Sequence, residues 1–289
     1  MKTLVFGAGG QVGRELSRAA RERGVLMIPC LRDQADLATP GAAARIVRDV
    51  APDAVVNAAA HTAVDKAESA PDLARRLNAE APGEIAVAAA DVGAAFVHIS
   101  TDYVFDGAGD GPLDEDAPTG PLNVYGLTKR DGEAAALAAG GACAVLRTSW
   151  VYGVHGGNFV KTMLRLGATR DALAVVADQI GGPTPAGAIA GACLAIAGRL
   201  RAEPSASGLY HFQGAPATSW ADFARAIFAV SGHSVAVSDI ATADYPTPAR
   251  RPLNTVLDCG KISRAFGIAQ PDWRADLARA VPAIMAAGD

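Results

Sequence analysis

Tyr125 and Lys129 stand four apart in Tyr125-Gly126-Leu127-Thr128-Lys129, and Ser100-Thr101-Asp102 precedes them by about two dozen residues. On a helix, residues i and i+4 share a face, so a phenol and an ammonium can reach into one cleft. A tyrosine with an ordinary pKa near ~10 is a poor acid–base at neutral pH, and a neighbouring ammonium moves it toward the working range. The Thr101 hydroxyl is suited to hydrogen-bond a substrate oxygen and stabilise charge developing on it. A glycine-rich turn at Gly7 adds a seat for a dinucleotide phosphate. Together these segments read as a carbonyl–alcohol redox site working with a nicotinamide cofactor.

The elements that must position these groups follow from the patterning. Residues 2–6 read as a buried strand, Gly7-Ala8-Gly9-Gly10-Gln11-Val12-Gly13 as a turn, and residues 12–23 as a helix. Strand, glycine turn and helix in that order let a pyrophosphate sit on the helix N-terminus, with Gly7, Gly10 and Gly13 allowing close backbone approach. A second strand over 25–29 ends without the acid that would bond an adenosine 2′-hydroxyl. Arg32 follows instead, which tilts the cofactor toward NADPH, with NADH as the alternative. Thr39-Pro40 reads as an N-cap and first helical residue. Strands are expected at 54–57, 95–100 and 144–147, and helices over 71–91, with Pro82 marking a break or a new first turn, and over 122–138. Residues 107–121, rich in Gly, Pro and Asp, read as a surface loop.

This alternation predicts an α/β fold, a Rossmann-type doubly wound parallel sheet with Ser100-Thr101-Asp102 at the edge where ligands bind. Beyond Trp150 helices are expected near 159–166, 185–200, 220–230 and 272–287, with short strands near Val175 and Tyr210. The chain is divided accordingly. Residues 1–152 with roughly 186–212 form the dinucleotide-binding domain, and roughly 153–185 and 213–289 a smaller, interleaved C-terminal substrate lobe.

Bulk properties exclude several classes. The net charge of −4 over 289 residues, with no long basic run, argues against a nucleic-acid partner. No apolar run reads as a membrane span and none as a signal peptide, so a cytoplasmic protein is expected. Cys30, Cys143, Cys193 and Cys259 are scattered with no Cys-x-x-Cys pair, and read as buried free thiols. No metal-ligand set emerges.

Further motifs recur in a fixed order. They are Gly7-x-x-Gly10-Gln11-x-Gly13, Asn57-Ala58-Ala59-Ala60-His61-Thr62-Ala63-Val64-Asp65, Ser100-Thr101-Asp102-Tyr103-Val104-Phe105-Asp106-Gly107 and Tyr125-x-x-x-Lys129. Arg147-Thr148-Ser149-Trp150-Val151-Tyr152-Gly153, Asp178-Gln179-x-Gly181-x-Pro183-Thr184 and Arg251-Pro252-x-Asn254-Thr255 come later. Over nearly the whole chain this closely resembles the dTDP-4-dehydrorhamnose reductase family, in the extended branch of the short-chain dehydrogenases/reductases.

The resemblance implies reduction of the 4-keto group of dTDP-4-dehydro-6-deoxy-L-mannose by NADPH or NADH, the last step of dTDP-rhamnose biosynthesis. It implies that Thr101 orients the carbonyl, that Tyr125 supplies the proton with help from Asp102, and that Lys129 holds the nicotinamide ribose. Gly7, Gly10, Gln11 and Val12 would line the pyrophosphate, and Asp36 and Leu37 the adenine. Ala58, Ala59 and His61 would border the cofactor. Thr62, Val64, Thr101, Asp102, Tyr103, Trp150, Asn158 and Gln179 would face the nucleotide-sugar substrate.

Some members of that family dimerise around magnesium held by carboxylates, one of them just after the Pro-Thr motif. Here Pro183-Thr184-Pro185-Ala186-Gly187-Ala188 offers no acid, and Glu15 alone reads as a solvated helix residue. Magnesium is therefore not expected, and a monomer or weak homodimer is. Two rivals share the motifs: a sugar-nucleotide epimerase with tightly bound NAD, and a non-catalytic subunit like the regulatory partner of methionine adenosyltransferase. Stoichiometric NAD would mark the first and a co-purifying large partner the second.

Overall fold

The computed structural model describes residues 1–287. Its centre is a six-stranded parallel sheet in the spatial order Gly208–His211, Cys143–Thr148, Ala95–Thr101, Ala54–Asn57, Lys2–Phe6, Leu26–Cys30. Successive side chains on a strand point to opposite faces, and the core divides accordingly. Val5, Val56, Val97 and Leu146 pack with Leu16, Ile189, Cys193 and Ile196 on one side. Leu4, Val55, Phe96 and Val145 pack with Val47, Ile85 and Ala136 on the other. Sheets covered on both faces need continuous apolar runs, which these strands have. Small residues set the helix spacing: the alanine-rich helix Ala186–Ala202 lies against Gln11–Glu22. All four cysteines are buried and free.

The chain winds outward in opposite directions from Lys2–Phe6, with Leu26–Cys30 on one side and Ala54–Asn57 on the other. A crevice opens beyond the carboxyl ends of the strands at such a switch point. Gly7 sits at its base with φ +76°, and a Cβ there would meet the Ala59 nitrogen at 2.6 Å.

A third apolar cluster lies apart from the sheet. Tyr152, Val160, Leu164, Phe223, Ile227, Trp273 and Val281 form it, and the Tyr152 hydroxyl donates to the Trp273 carbonyl at 2.8 Å. Parallel strands Ala172–Val176 and Ala236–Ile240 border it. Among the described residues no helix is long and apolar enough to cross a membrane.

Two local expectations need correction. The helix expected from Thr39-Pro40 starts at Ala42. Pro40 and Gly41, the latter with φ +75°, are instead the middle of a turn closed by the Ala42 N–H on the Thr39 carbonyl at 3.3 Å. Proline followed by a left-handed glycine favours that turn over a helical start. Glu15 is 8% exposed and bonded to Arg18 at 2.9 Å, not solvated, because the helix face it occupies is covered at Gly187. The break at Pro82 takes the form of a π-helical turn, Arg76–Glu80, between Pro71–Arg75 and Ala81–Asp91. Proline has no N–H to give to the Asn78 carbonyl four residues back, and that carbonyl lies where a side chain on Gly132 would stand, 2.0 Å from a Cβ.

Candidate active site

The helix Val124–Leu137 carries both Tyr125 and Lys129 and is capped by Asn123, whose Oδ1 accepts the Gly126 N–H at 2.8 Å. The same asparagine donates to the Arg250 carbonyl at 2.8 Å, tying the cap to the C-terminal segment. The strand Ala95–Thr101 delivers Thr101, which caps the short 3-10 turn Asp102–Val104 by accepting the Tyr103 N–H at 3.2 Å. Thr101 also donates to Asp102 at 2.9 Å. Tyr125 and Tyr103 meet edge-on with ring centroids 5.9 Å apart.

Burial dominates the electrostatics. Tyr125 is pushed up to about 12 by desolvation, against a hydrogen bond with Thr101 that acts in the other direction. Asp102 is raised by burial to about 7, opposed by the hydrogen bond from Thr101. Lys129 is lowered by desolvation to about 8, with the charge of Glu133 pulling back. The expected tuning of Tyr125 by the Lys129 ammonium is not what the contacts provide: Lys129 Nζ donates to the Ile99 carbonyl at 2.6 Å and lies 3.2 Å from His98 Nε2. One turn on, Glu133 holds Arg147 bidentately at 2.7 and 2.9 Å and accepts from Ser100 at 2.5 Å, a buried pair that braces helix against sheet.

Thr101, Asp102, Tyr103, Tyr125 and Lys129 line a cleft of about 720 Å³. Of the residues singled out in the sequence, it brings together Gly7, Gly10, Gln11, Val12, Ala58, Ala59, Thr62, Val64, Thr101, Asp102, Tyr103, Tyr125, Lys129 and Trp150. Arg32, Asp36 and Leu37 line a smaller pocket of about 190 Å³ that shares Gly7 and Ala59 with the cleft. Three residues lie behind the walls. The His61 backbone N–H donates to Asn78 Oδ1 at 2.8 Å and its carbonyl accepts from Asn78 Nδ2 at 3.2 Å. Asn158 caps the helix Phe159–Gly167 and donates to Gln11 Oε1 at 2.9 Å. Gln179 accepts from the Trp220 indole at 3.2 Å.

Trp220 is a wall residue that sequence reasoning missed. It stacks on Trp150 with centroids 3.5 Å apart and planes 7° from parallel. Trp150 has φ +44°, uncommon for a residue with a side chain. The signal for Trp220 was faint: one tryptophan just after Ser219, which caps its helix by accepting the Asp222 N–H at 3.0 Å. Thr148, Ser149, Gly156 and Gly157 also line the cleft without having been singled out.

The cleft suits a dinucleotide. The helix Gln11–Glu22 starts at Gly10 with no side-chain cap and no acid in its first turn, so its free N–H groups and positive dipole end favour an anion. The buried Thr148 hydroxyl, beside the acid–base groups, has no hydrogen-bond partner among the described residues.

Comparison with known proteins follows the same line. Residues 1–285 match the family model described as RmlD substrate binding domain. A dTDP-4-dehydrorhamnose reductase of Sinorhizobium fredii is 45% identical over 294 residues, covering 100% of this chain and 99% of the relative. The crystal structure of a dTDP-4-dehydrorhamnose reductase from Clostridium acetobutylicum superposes with TM-score 0.92 at 38% identity, over 99% of this chain and 100% of that one. A Bacillus anthracis enzyme of the same name, in complex with NADP, gives TM-score 0.89 at 34% identity, over 96% and 98%.

Proposed function

Because the chain belongs to the RmlD substrate binding domain family of dTDP-4-dehydrorhamnose reductases, we propose that its cleft reduces the 4-keto group of dTDP-4-dehydro-6-deoxy-L-mannose to dTDP-L-rhamnose with NADPH or NADH. The observation that carries the reading is the convergence of Thr101, Tyr125 and Lys129 with the uncapped Gln11–Glu22 helix terminus in one cleft. When bound, the reduced nicotinamide supplies hydride to the carbonyl carbon. The protein's part is to place and protonate the oxygen.

Tyr125, a neutral phenol at pH 7 whose burial keeps it protonated to still higher pH, is the proton donor to the carbonyl oxygen. Thr101 orients that oxygen by hydrogen bonding, and Asp102, poised near neutrality, is the nearby acid that assists proton supply. Lys129, on the same helix face as Tyr125, is the group that would hold the cofactor ribose once its Nζ turns from the Ile99 carbonyl into the cleft. Gly7, Gly10, Gln11 and Val12 hold the pyrophosphate, Asp36 and Leu37 border the adenine, and Arg32 favours a 2′-phosphate. Asn158 acts on the cofactor through Gln11, and Gln179 on the substrate through Trp220. His61 acts at one remove, through its backbone bonds to Asn78.

The reading includes the division into a dinucleotide-binding domain, 1–152 with about 186–212, and a substrate lobe of about 153–185 and 213–289. It also includes a cytoplasmic location, since the reaction draws on a nucleotide sugar and reduced nicotinamide, and a monomer or weak homodimer, since no acid follows Pro183-Thr184. The full-length relative carries the reductase name, which leaves the epimerase and regulatory-subunit readings without support.

The test is loss of absorbance at 340 nm with each cofactor, using the keto-sugar generated in situ. Wild type should turn over, and Tyr125→Phe should lose ~10²–10⁴-fold in kcat. Wild-type protein that binds NADPH yet oxidises none of it would sink the assignment.

A further inference from the structure

Asn57 and His98 are register partners on neighbouring parallel strands, and both are fully buried. Asn57 Oδ1 accepts the Ala59 backbone N–H at 3.1 Å. A backbone N–H can only donate, so the amide group of Asn57 is fixed in orientation and its Nδ2 must point away. Nδ2 meets His98 Nδ1 at 3.2 Å. An amide nitrogen can only donate there, so Nδ1 is an acceptor and the imidazole proton lies on Nε2. Nε2 in turn faces Lys129 Nζ at 3.2 Å.

The chain of donors ends on a group that must accept. A lysine ammonium has no lone pair and would set N–H against N–H. A neutral amine accepts from His98 Nε2–H and still donates to the Ile99 carbonyl at 2.6 Å. We propose that His98, locked into its Nε2–H tautomer by Asn57, is a positioning residue that holds Lys129 inward as the uncharged amine. The charged form is then satisfied only when Nζ turns toward the acceptors of the cleft. Lys129 thereby gains its proton where the phenol and the cofactor ribose lie, not against the sheet.

The remaining charged and titratable groups around Lys129 do not alter this logic. On its own helix Tyr125 lies one turn before it and Glu133 one turn after it, and Glu133 is committed to Arg147 from the neighbouring strand Cys143–Thr148. From the turn after the fourth strand of the chain, Asp102 acts on Tyr125. The direction of both buried bases agrees with the geometry: burial holds His98 well below its ordinary value, and Lys129 is lowered as well.

The proposal deepens the reductase reading and rests on it for the role of Lys129, but its test needs no turnover. In cofactor-free protein labelled with ¹⁵N-histidine, long-range ¹H–¹⁵N spectra should show His98 with Nδ1 unprotonated and Nε2 protonated from pH 6 to 9. A protonated Nδ1, or an imidazolium, anywhere in that range overturns the proposal whether or not the enzyme reduces the keto-sugar.

Asn57→Asp replaces the Nδ2 donor with an acceptor and should reverse the tautomer, leaving His98 Nε2 to accept from the Lys129 ammonium. Lys129, followed by its ¹³Cε resonance and assigned with Lys129→Met, should then titrate about one pH unit higher, a tenfold change. The alkaline limb of kcat/KM should move the same way. An unmoved titration in a folded variant refutes the link. If that variant fails to fold, the wild-type tautomer alone decides.

Discussion

The backbone carbonyl of Tyr103 lies 2.0 Å from where a Cβ on residue 126 would be built. Gly126 follows Tyr125 directly, so the close approach of helix to turn sets how far the phenol stands from Thr101. Gly126→Ala should push the first turn of that helix off the Asp102–Val104 turn. Overpacking of this kind costs ~1–3 kcal/mol, and a displacement of about 1 Å at a reacting group can cost ~10²-fold in rate. Urea melts should show the first and steady-state kinetics the second. A folded Gly126→Ala protein with unchanged kcat would show that this contact does not position Tyr125.

That relationship marks the limit of what the chain reveals before folding. The strands, the glycine turn and the tyrosine helix were legible because each has its own period or punctuation, and they bring Thr101, Tyr125 and Lys129 to the cleft as expected. What Lys129 touches was not legible. Its partners His98 and Ile99 lie on a strand 31 and 30 residues away, and their side of the sheet depends on register against Asn57. Trp220 escaped for the same reason, since stacking on Trp150 spans two elements with no shared local pattern. His61 and Gln179 stood in the motifs and Asn158 came from the resemblance, yet neither could say whether a side chain faces the cleft or braces a neighbour that does.

Asp102 should make stability fall with rising pH. Its folded-state value is raised to about 7 from an ordinary 3.8, so the folded protein holds a proton the unfolded chain releases. The stabilisation is complete below about pH 4 and is lost as pH climbs through about 7, each pH unit between the two values being worth ~1.4 kcal/mol. Asp102→Asn keeps the shape without the titration. Its melting temperature should therefore exceed that of wild type at pH 8 by roughly 5–10 °C, with the gap closing toward pH 4. A gap that does not change with pH would mean Asp102 titrates normally.

Arg32 should decide between the two nicotinamide cofactors. It is 82% exposed along its side chain, pairs with Asp36 at 3.2 Å, and borders the smaller pocket beside Gly7. An exposed pair of this kind is weak and adds little to stability, so the guanidinium is free to leave Asp36 for a 2′-phosphate. Arg32→Ala should raise KM for NADPH about tenfold, the scale of one charge-assisted hydrogen bond, and leave KM for NADH unchanged. The discrimination should also shrink with added salt in wild type. Equal loss with both cofactors would mean that Arg32 supports the pocket rather than reads the phosphate.

Trp150 and Trp220 should act as one platform for the nucleotide sugar. Trp150 holds its ring in place through a backbone at φ +44°, and such a conformation persists only where the surroundings impose it. The surroundings are Gly181, where a Cβ would stand 2.8 Å from the indole, and Trp220, anchored by its own N–H on Gln179. Aromatic pairs contribute ~0.5–1.5 kcal/mol beyond the area they bury. Trp220→Leu should therefore raise KM for the nucleotide sugar up to about tenfold while KM for NADPH stays fixed. Trp150→Ala should do the same, and the double variant should lose less than the two effects added, because either change alone already breaks the stack. Full additivity in that cycle would mean the rings meet the substrate independently, with Gln179 orienting only one of them.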